Sequence, residues 1–167
     1  AGEEVARFLF KREERRIWFL DGTEEYGKAV WQGMQKIFSK KGCCLEEEQY
    51  LEIPKDRDLR RMFYKIRLAG LALSADMLVF ASAVQGAEAV GYLHDLEIKV
   101  PEEIEVIAVG KEETALICRP QLTTVEFDKK RLVRQAIEEL YVQIIKGYIL
   151  TKSGKISVKT IIRGSCN

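Results

Sequence analysis

Three short apolar runs constrain this chain more than anything else in it: Ile17-Trp18-Phe19-Leu20, Met77-Leu78-Val79-Phe80-Ala81 and Ile104-Glu105-Val106-Ile107-Ala108-Val109. Each has the length of a strand, and each stops at residues suited to a turn: Asp21-Gly22, Ser82 and Gly110. A strand that is apolar on both sides has to be covered on both sides, which is the situation at the centre of a parallel sheet. Between the runs, apolar residues recur at helical spacing. Helices are expected over Glu3–Glu14, from Thr23 (as N-cap) to Lys41 with a stop at Gly42, over Asp58–Leu73, and over Val84–Leu96. In the third of these, Leu59, Met62, Phe63, Ile66 and Leu68 are available for the buried side. A weaker strand is expected around Leu45–Ile53, closed by Pro54. Such alternation predicts an α/β fold, a three-layer parallel sheet with helices on both faces.

The last third breaks the alternation. Arg119–Val125 is a Pro-led extended segment, Asp128–Ile145 an amphipathic helix ending at Gly147, and Ile156–Ile162 a final strand. That strand alternates Ile156, Val158 and Thr160 with Ser157, Lys159 and Ile161, a pattern for an edge rather than a sheet centre.

Composition excludes several roles. The 167 residues suit one ordinary domain, and 27 Lys and Arg nearly cancel 26 Asp and Glu. No single-sign field is available to hold DNA phosphates, so direct DNA contact by this segment is not expected. Cys43, Cys44, Cys118 and Cys166 show no zinc spacing, His94 is the only histidine, and no cofactor motif is present. Adjacent Cys43 and Cys44 make a poor disulfide framework, so a reducing, cytoplasmic setting is expected. No apolar run reaches the roughly 18 residues of a bilayer span, so no membrane partner is expected. The opening Ala1-Gly2, without an initiator Met, is expected of an excised piece of something longer.

In open α/β sheets, ligands bind outside the carboxyl ends of the strands, where helix N-termini offer free N–H groups. That rule selects three loops: Asp21-Gly22-Thr23-Glu24, Ser82-Ala83-Val84 and Gly110-Lys111-Glu112. Together they form a candidate binding rim, although Asp21, Gly22 and Gly110 are also ordinary turn residues. Catalytic constellations are weak. His94 sits in a helix beside Asp95, far from any rim, and Glu24-Glu25 complement a helix start. The Glu46-Glu47-Glu48 run suits a solvated turn, and neither a P-loop nor GxGxxG is present. The expectation is a binding protein rather than an enzyme.

An ordered set of motifs carries a resemblance. Ala1-Gly2…Ala6…Phe8-Leu9…Arg15-Arg16-Ile17-Trp18-Phe19-Leu20-Asp21-Gly22 is followed by Trp31-Gln32-Gly33-Met34. Then come Val100-Pro101-Glu102-Glu103-Ile104-Glu105-Val106-Ile107-Ala108, Pro120-Gln121-Leu122-Thr123-Thr124-Val125 and Ile161-Ile162-Arg163-Gly164-Ser165. The series resembles the C-terminal part of the sensor domain in lactose-repressor-type transcriptional regulators, the LacI/GalR family. The resemblance implies a type I periplasmic-binding-protein-like subdomain. Residues of about 15–118 and 155–167 would form it, while 1–14 and 122–147 would pack on a mostly absent N-terminal subdomain. Leu122, Thr123, Thr124 and Val125 would be a hinge strand. The helix after it would expose Leu132, Ala136, Leu140 and Ile144 in the isolated fragment, favouring self-association.

The resemblance further implies an unknown small-molecule effector, a homodimer, and operator DNA bound through a helix-turn-helix that this chain lacks. Candidate ligand-binding positions are Asp21, Thr23, Glu24, Tyr26, Val30, Ser82, Ala83, Gly110 and Lys111. Departures from the family pattern fall among these residues. Val30 stands where an effector-binding Arg is common, Ser82-Ala83 where Asn-Asp is usual, and Gly110-Lys111 where acids are frequent. Bidentate Arg and rim carboxylates are what grip sugar hydroxyls or anions, so a sugar held in the usual way is not expected. Alternatives are a solute-binding protein of the same fold, a sensor answering to a protein partner, and a dimerisation module. A receiver domain using Asp21 and Lys111 would lack its second acidic strand end.

Overall fold

The structure, a computed structural model, describes residues 1–12, 16–23, 25–110, 113–147 and 157–166. Helix α1 (Gly2–Lys11) leads into β1 (Ile17–Asp21), α2 (Glu25–Lys40) and the short β2 (Tyr50–Glu52). Next come α3 (Arg57–Ser74), β3 (Met77–Phe80), α4 (Ala83–Asp95) and β4 (Glu105–Val109). The chain closes through α5 (Thr114–Ile117), β5 (Thr123–Phe127), α6 (Lys129–Lys146) and β6 (Val158–Ile161). The six strands lie in the order β2-β1-β3-β4-β5-β6, all parallel except β6, which runs antiparallel to β5.

Alternation along the central strands builds two cores, because successive side chains point to opposite faces. Phe19, Met77, Val79, Ile107 and Val109 face α1 and α2. Leu20, Leu78, Phe80, Val106 and Ala108 face α3 and α4. This is the three-layer arrangement expected from the sequence.

The strand expected over 45–53 shrinks to three residues. A 3-10 turn over Glu47–Gln49 precedes it, with the Gln49 side chain accepting from the Glu46 N–H at 2.8 Å and donating to the Ile17 carbonyl at 3.1 Å. Local side-chain bonds thus take over the backbone that a longer strand would have used. The last strand sits at the sheet edge as expected, although Ile156 lies outside the described residues.

Two expectations about packing are corrected. First, α1 does not turn its apolar side away from this sheet: Val5, Ala6 and Leu9 are fully buried within the α1–α2 core. Gly2 packs so closely that a methyl group there would meet the Val30 carbonyl oxygen at 1.9 Å. Second, α3 buries Tyr64, Leu68, Leu71 and Ala72, whereas Leu59, Met62 and Ile66 face solvent. The helix is apolar on two opposite sides, and periodicity alone cannot say which one meets the sheet. The segment expected as a hinge strand lies in the sheet: Leu122, Thr123, Thr124 and Val125 are all fully buried, and β5 pairs in register with β4.

A polar lock secures that fifth strand. Ser165 Oγ accepts from the Thr123 N–H at 2.8 Å and donates to the Val106 carbonyl. Arg163 donates to Thr124 Oγ1 at 2.6 Å and to the Glu126 carboxylate at 2.9 Å, a pair that is nearly buried. Helix α6, by contrast, leaves Leu132, Leu140 and Ile144 exposed, as expected for it. Among the described residues no helix is long and apolar enough to cross a membrane.

Candidate binding rim

Strand β1 connects outward to β2 through α2, and the chain then returns through α3 to β3 on the other side of β1. The point where succession reverses lies between β1 and β3, and there the two following loops part to opposite faces and leave a crevice. Gly22 and Ser82 flank it. The backbone closes ranks beneath, with the Ala81 N–H bonded to the Leu20 carbonyl at 2.9 Å.

The three predicted loops do converge, and the first turn of α4 is where they meet. A methyl group on Gly22 would come within 2.1 Å of the Gln85 amide nitrogen, so the Gln85 side chain lies directly over that glycine. A methyl group on Gly110 would touch the Ala83 Cβ at 3.9 Å. Gly110 has φ +113°, a conformation glycine adopts readily, and its N–H reaches the Val125 carbonyl at 2.9 Å.

On the β1 side both carboxylate oxygens of Asp21 are already engaged. Asp21 is buried at the end of its strand. Its Oδ1 accepts from the Thr23 N–H at 2.6 Å and from the Thr23 hydroxyl at 2.7 Å, and its Oδ2 accepts from the Tyr50 hydroxyl at 2.6 Å. Burial, and then the Asp21 carboxylate, push the Tyr50 phenol well above its ordinary range. The same carboxylate lies against Gly27, where a methyl group would come within 1.9 Å of it. Asp21 therefore fastens β1, β2 and the start of α2 together.

Several predicted site residues take other positions. Thr23 gives its hydroxyl to Asp21, and α2 is described from Glu25 onward. Val30 is buried beneath α1 rather than on the rim. Tyr26 is 41% exposed, and its phenol is raised by partial burial. Glu24 and Lys111 lie outside the described residues.

On the α4 side the capacity is unspent. Ser82 occupies the N-cap position of α4 with β geometry, but its side chain makes no capping bond. Ala83 begins the helix and is buried. Gln85 is 8% exposed, and its Oε1 has no hydrogen-bond partner among the described residues. Tyr64 holds this turn from below, donating to the Gln85 carbonyl at 3.3 Å. Neither Gln85 nor Tyr50 stood out in the sequence. A glutamine in the first turn of an apolar helix was the available signal for one, and a tyrosine opening an edge strand for the other. Beside Gly22, an open cleft of about 660 Å³ runs toward β2, lined by Asp21, Lys28, Glu52, Pro54 and Lys55 among others.

The chain belongs to the periplasmic binding protein-like domain family, whose model matches residues 6–166. Transcriptional regulators of the LacI type are among its solved neighbours. The Escherichia coli repressor ascG superposes with a TM-score of 0.79 at 19% identity, over 98% of this chain and 60% of that one. A LacI regulator from Bacillus cereus subsp. cytotoxis gives 0.83 at 20%, over 99% and 59%. A LacI-family regulator from Lactobacillus casei with bound sucrose gives 0.77 at 18%, over 99% and 62%. These are regulators, a non-enzymatic class, and the chain spans about 60% of the length of the first of them. No curated protein shows significant similarity to the chain.

Proposed function

We propose that this chain is the effector-sensing and dimerisation part of a LacI-type transcriptional regulator, acting in the cytoplasm. A small ligand is gripped at the rim between β1 and β3, and operator DNA is bound by a helix-turn-helix domain outside this sequence. The observation that carries the reading is the convergence of Gly22, Ser82, Gln85 and Gly110 on the crevice where strand order reverses. Two features fit a ligand there. The first turn of α4 presents backbone N–H groups that have no intrahelical acceptor, and the Gln85 Oε1 is buried without a partner. The L. casei relative is named with a bound sucrose, and a small polar effector is the matching class for this chain. Without Arg at position 30 or acids at 110 and 111, the grip comes from backbone and amide groups instead of charges.

Residues 1–14 were expected to pack outside this unit. The reading keeps only the later segment in that role: α6 is a docking helix for a preceding subdomain, which would cover its exposed Leu140 and Ile144. Ligand held between two such subdomains would favour one arrangement of a homodimer over the other, provided it binds one state more tightly. Titration calorimetry of the intact regulator against a panel of small metabolites, with Gln85→Ala alongside, tests the proposal. A ligand whose affinity falls about tenfold in the variant, the equivalent of one lost hydrogen bond, supports it. Absence of heat from every metabolite counts against small-molecule sensing.

A further inference from the structure

Cys43 and Cys44 are adjacent, free and both exposed. Cysteine is among the residues most often buried, so two neighbouring thiols left in solvent are unusual. The other two cysteines are engaged in the fold. Cys118 Sγ donates to the Ala115 and Pro120 carbonyls at 3.5 and 3.3 Å, and Cys166 Sγ to the Val106 carbonyl at 3.3 Å. Burial raises both thiols, Cys166 to about 12, which leaves them inert. The exposed pair, by contrast, is held out by its turn. The Gly42 N–H reaches the Ser39 carbonyl at 3.1 Å and the Cys43 N–H the Phe38 carbonyl at 3.0 Å, the two bonds of a Schellman cap on α2. Gly42 supplies the left-handed residue at φ +76°, and a methyl group there would meet nothing within 4 Å. Beyond the pair, Leu45 is buried in the α1–α2 core. The two thiols therefore stand on a short loop fixed at both ends.

Spacing selects what the pair can hold. Adjacent α-carbons stand about 3.8 Å apart across a trans peptide, short of the roughly 4.4–6.8 Å that a disulfide spans. A direct bond between Cys43 and Cys44 would therefore be strained. A centre bonded to both sulfurs at about 2.3 Å lets them stand roughly 3.5–4 Å apart instead of about 2 Å, and relieves that strain. Among the described residues no group of three His, Cys, Asp or Glu is placed to hold a metal ion, so a metal that takes four protein ligands is not served. Trivalent arsenic needs only two thiols, because it is pyramidal and keeps its third substituent. We propose that Cys43 and Cys44 form a binding site for a trivalent arsenical. With phenylarsine oxide, two As–S bonds form and two S–H bonds break, and the arsenic-bound oxygen leaves as water with both protons. Arsenic stays trivalent, and nothing is oxidised or reduced. The turn lies at the amino end of the strands, so the site is separate from the rim and independent of ligand binding there.

The test mixes the reduced chain with one equivalent of phenylarsine oxide or of arsenite and reads intact mass and free thiols. Phenylarsine oxide is expected to add one phenylarsenic group and to consume two thiols, both recovered with excess ethanedithiol. Arsenite is expected to protect the same two thiols from a maleimide. The second As–S bond closes within the chain, so losing either thiol should weaken capture about a hundredfold or more. Cys43→Ser and Cys44→Ser are therefore each expected to lose capture at one equivalent, whereas Cys118→Ser keeps it. Both positions are exposed, so unchanged thermal melts are expected, and peptide mapping of the wild-type adduct checks the assignment without any variant. Capture that survives C43S or C44S, an adduct mapped to Cys118 or Cys166, or no capture of either probe overturns the inference. So does ready formation of a Cys43–Cys44 disulfide on exposure to glutathione disulfide, because the pair would then close on itself without a bridging atom.

Discussion

The two halves of the rim use similar chemistry to opposite ends. On the β1 side, Asp21, Thr23 and Tyr50 bond to one another, and both carboxylate oxygens are occupied. On the α4 side, the Ser82 side chain makes no cap bond and the Gln85 Oε1 is unpartnered. Saturated groups hold a loop still, and unsatisfied buried groups are costly unless something else satisfies them. On the proposed reading, the first half is scaffold and the second is where a ligand has something to gain.

Mutations can break that contrast, and the largest effect belongs on the scaffold side. Asp21→Ala leaves the Tyr50 hydroxyl and the Thr23 N–H without their acceptor, so a loss of about 2–3 kcal/mol in urea unfolding is expected. A loss below about half a kcal/mol would mean that the lock holds little. Next comes Gly27→Ala, whose methyl group would drive into the pinned Asp21 carboxylate, with an expected cost of about 1–2 kcal/mol by the same measurement. Gly22→Ala tests the seam between the halves. Its methyl group displaces the end of the Gln85 side chain, and a loss of about 1 kcal/mol is expected. Ligand affinity should fall with it, and unchanged affinity would separate Gln85 from the site.

The smallest stability effects are expected on the unspent side. Ser82→Ala removes no observed bond, and a change within about 0.5 kcal/mol is expected, below the usual cost of a lost N-cap. If it instead costs a full capping interaction, the hydroxyl caps α4 in solution and the contrast between the halves weakens.

Much of the architecture was legible in the chain. The runs at 17–20, 77–81 and 104–109 became β1, β3 and β4 within a residue, since strands buried on both faces have little freedom of composition. Their trailing loops met at one edge because parallel strands all end there. The site was less legible. Asp21, read as a rim ligand, also holds Tyr50, a residue 29 positions away whose approach depends on β2 pairing with β1. Val30, placed at the rim by resemblance, is covered by α1. The strand at 122–125 was legible, but not that Arg163 and Ser165, some 40 residues on, hold it in the sheet.

Sequence by itself determined the alternation of helices and strands, the edge placement of the last strand and the end of the sheet to watch, because each follows from local periodicity and from rules of connection. Only the tertiary structure decided which side of α3 meets the sheet and which polar groups at the rim are already paired. Those outcomes depend on partners distant in the chain, and no local pattern encodes where a distant partner will sit.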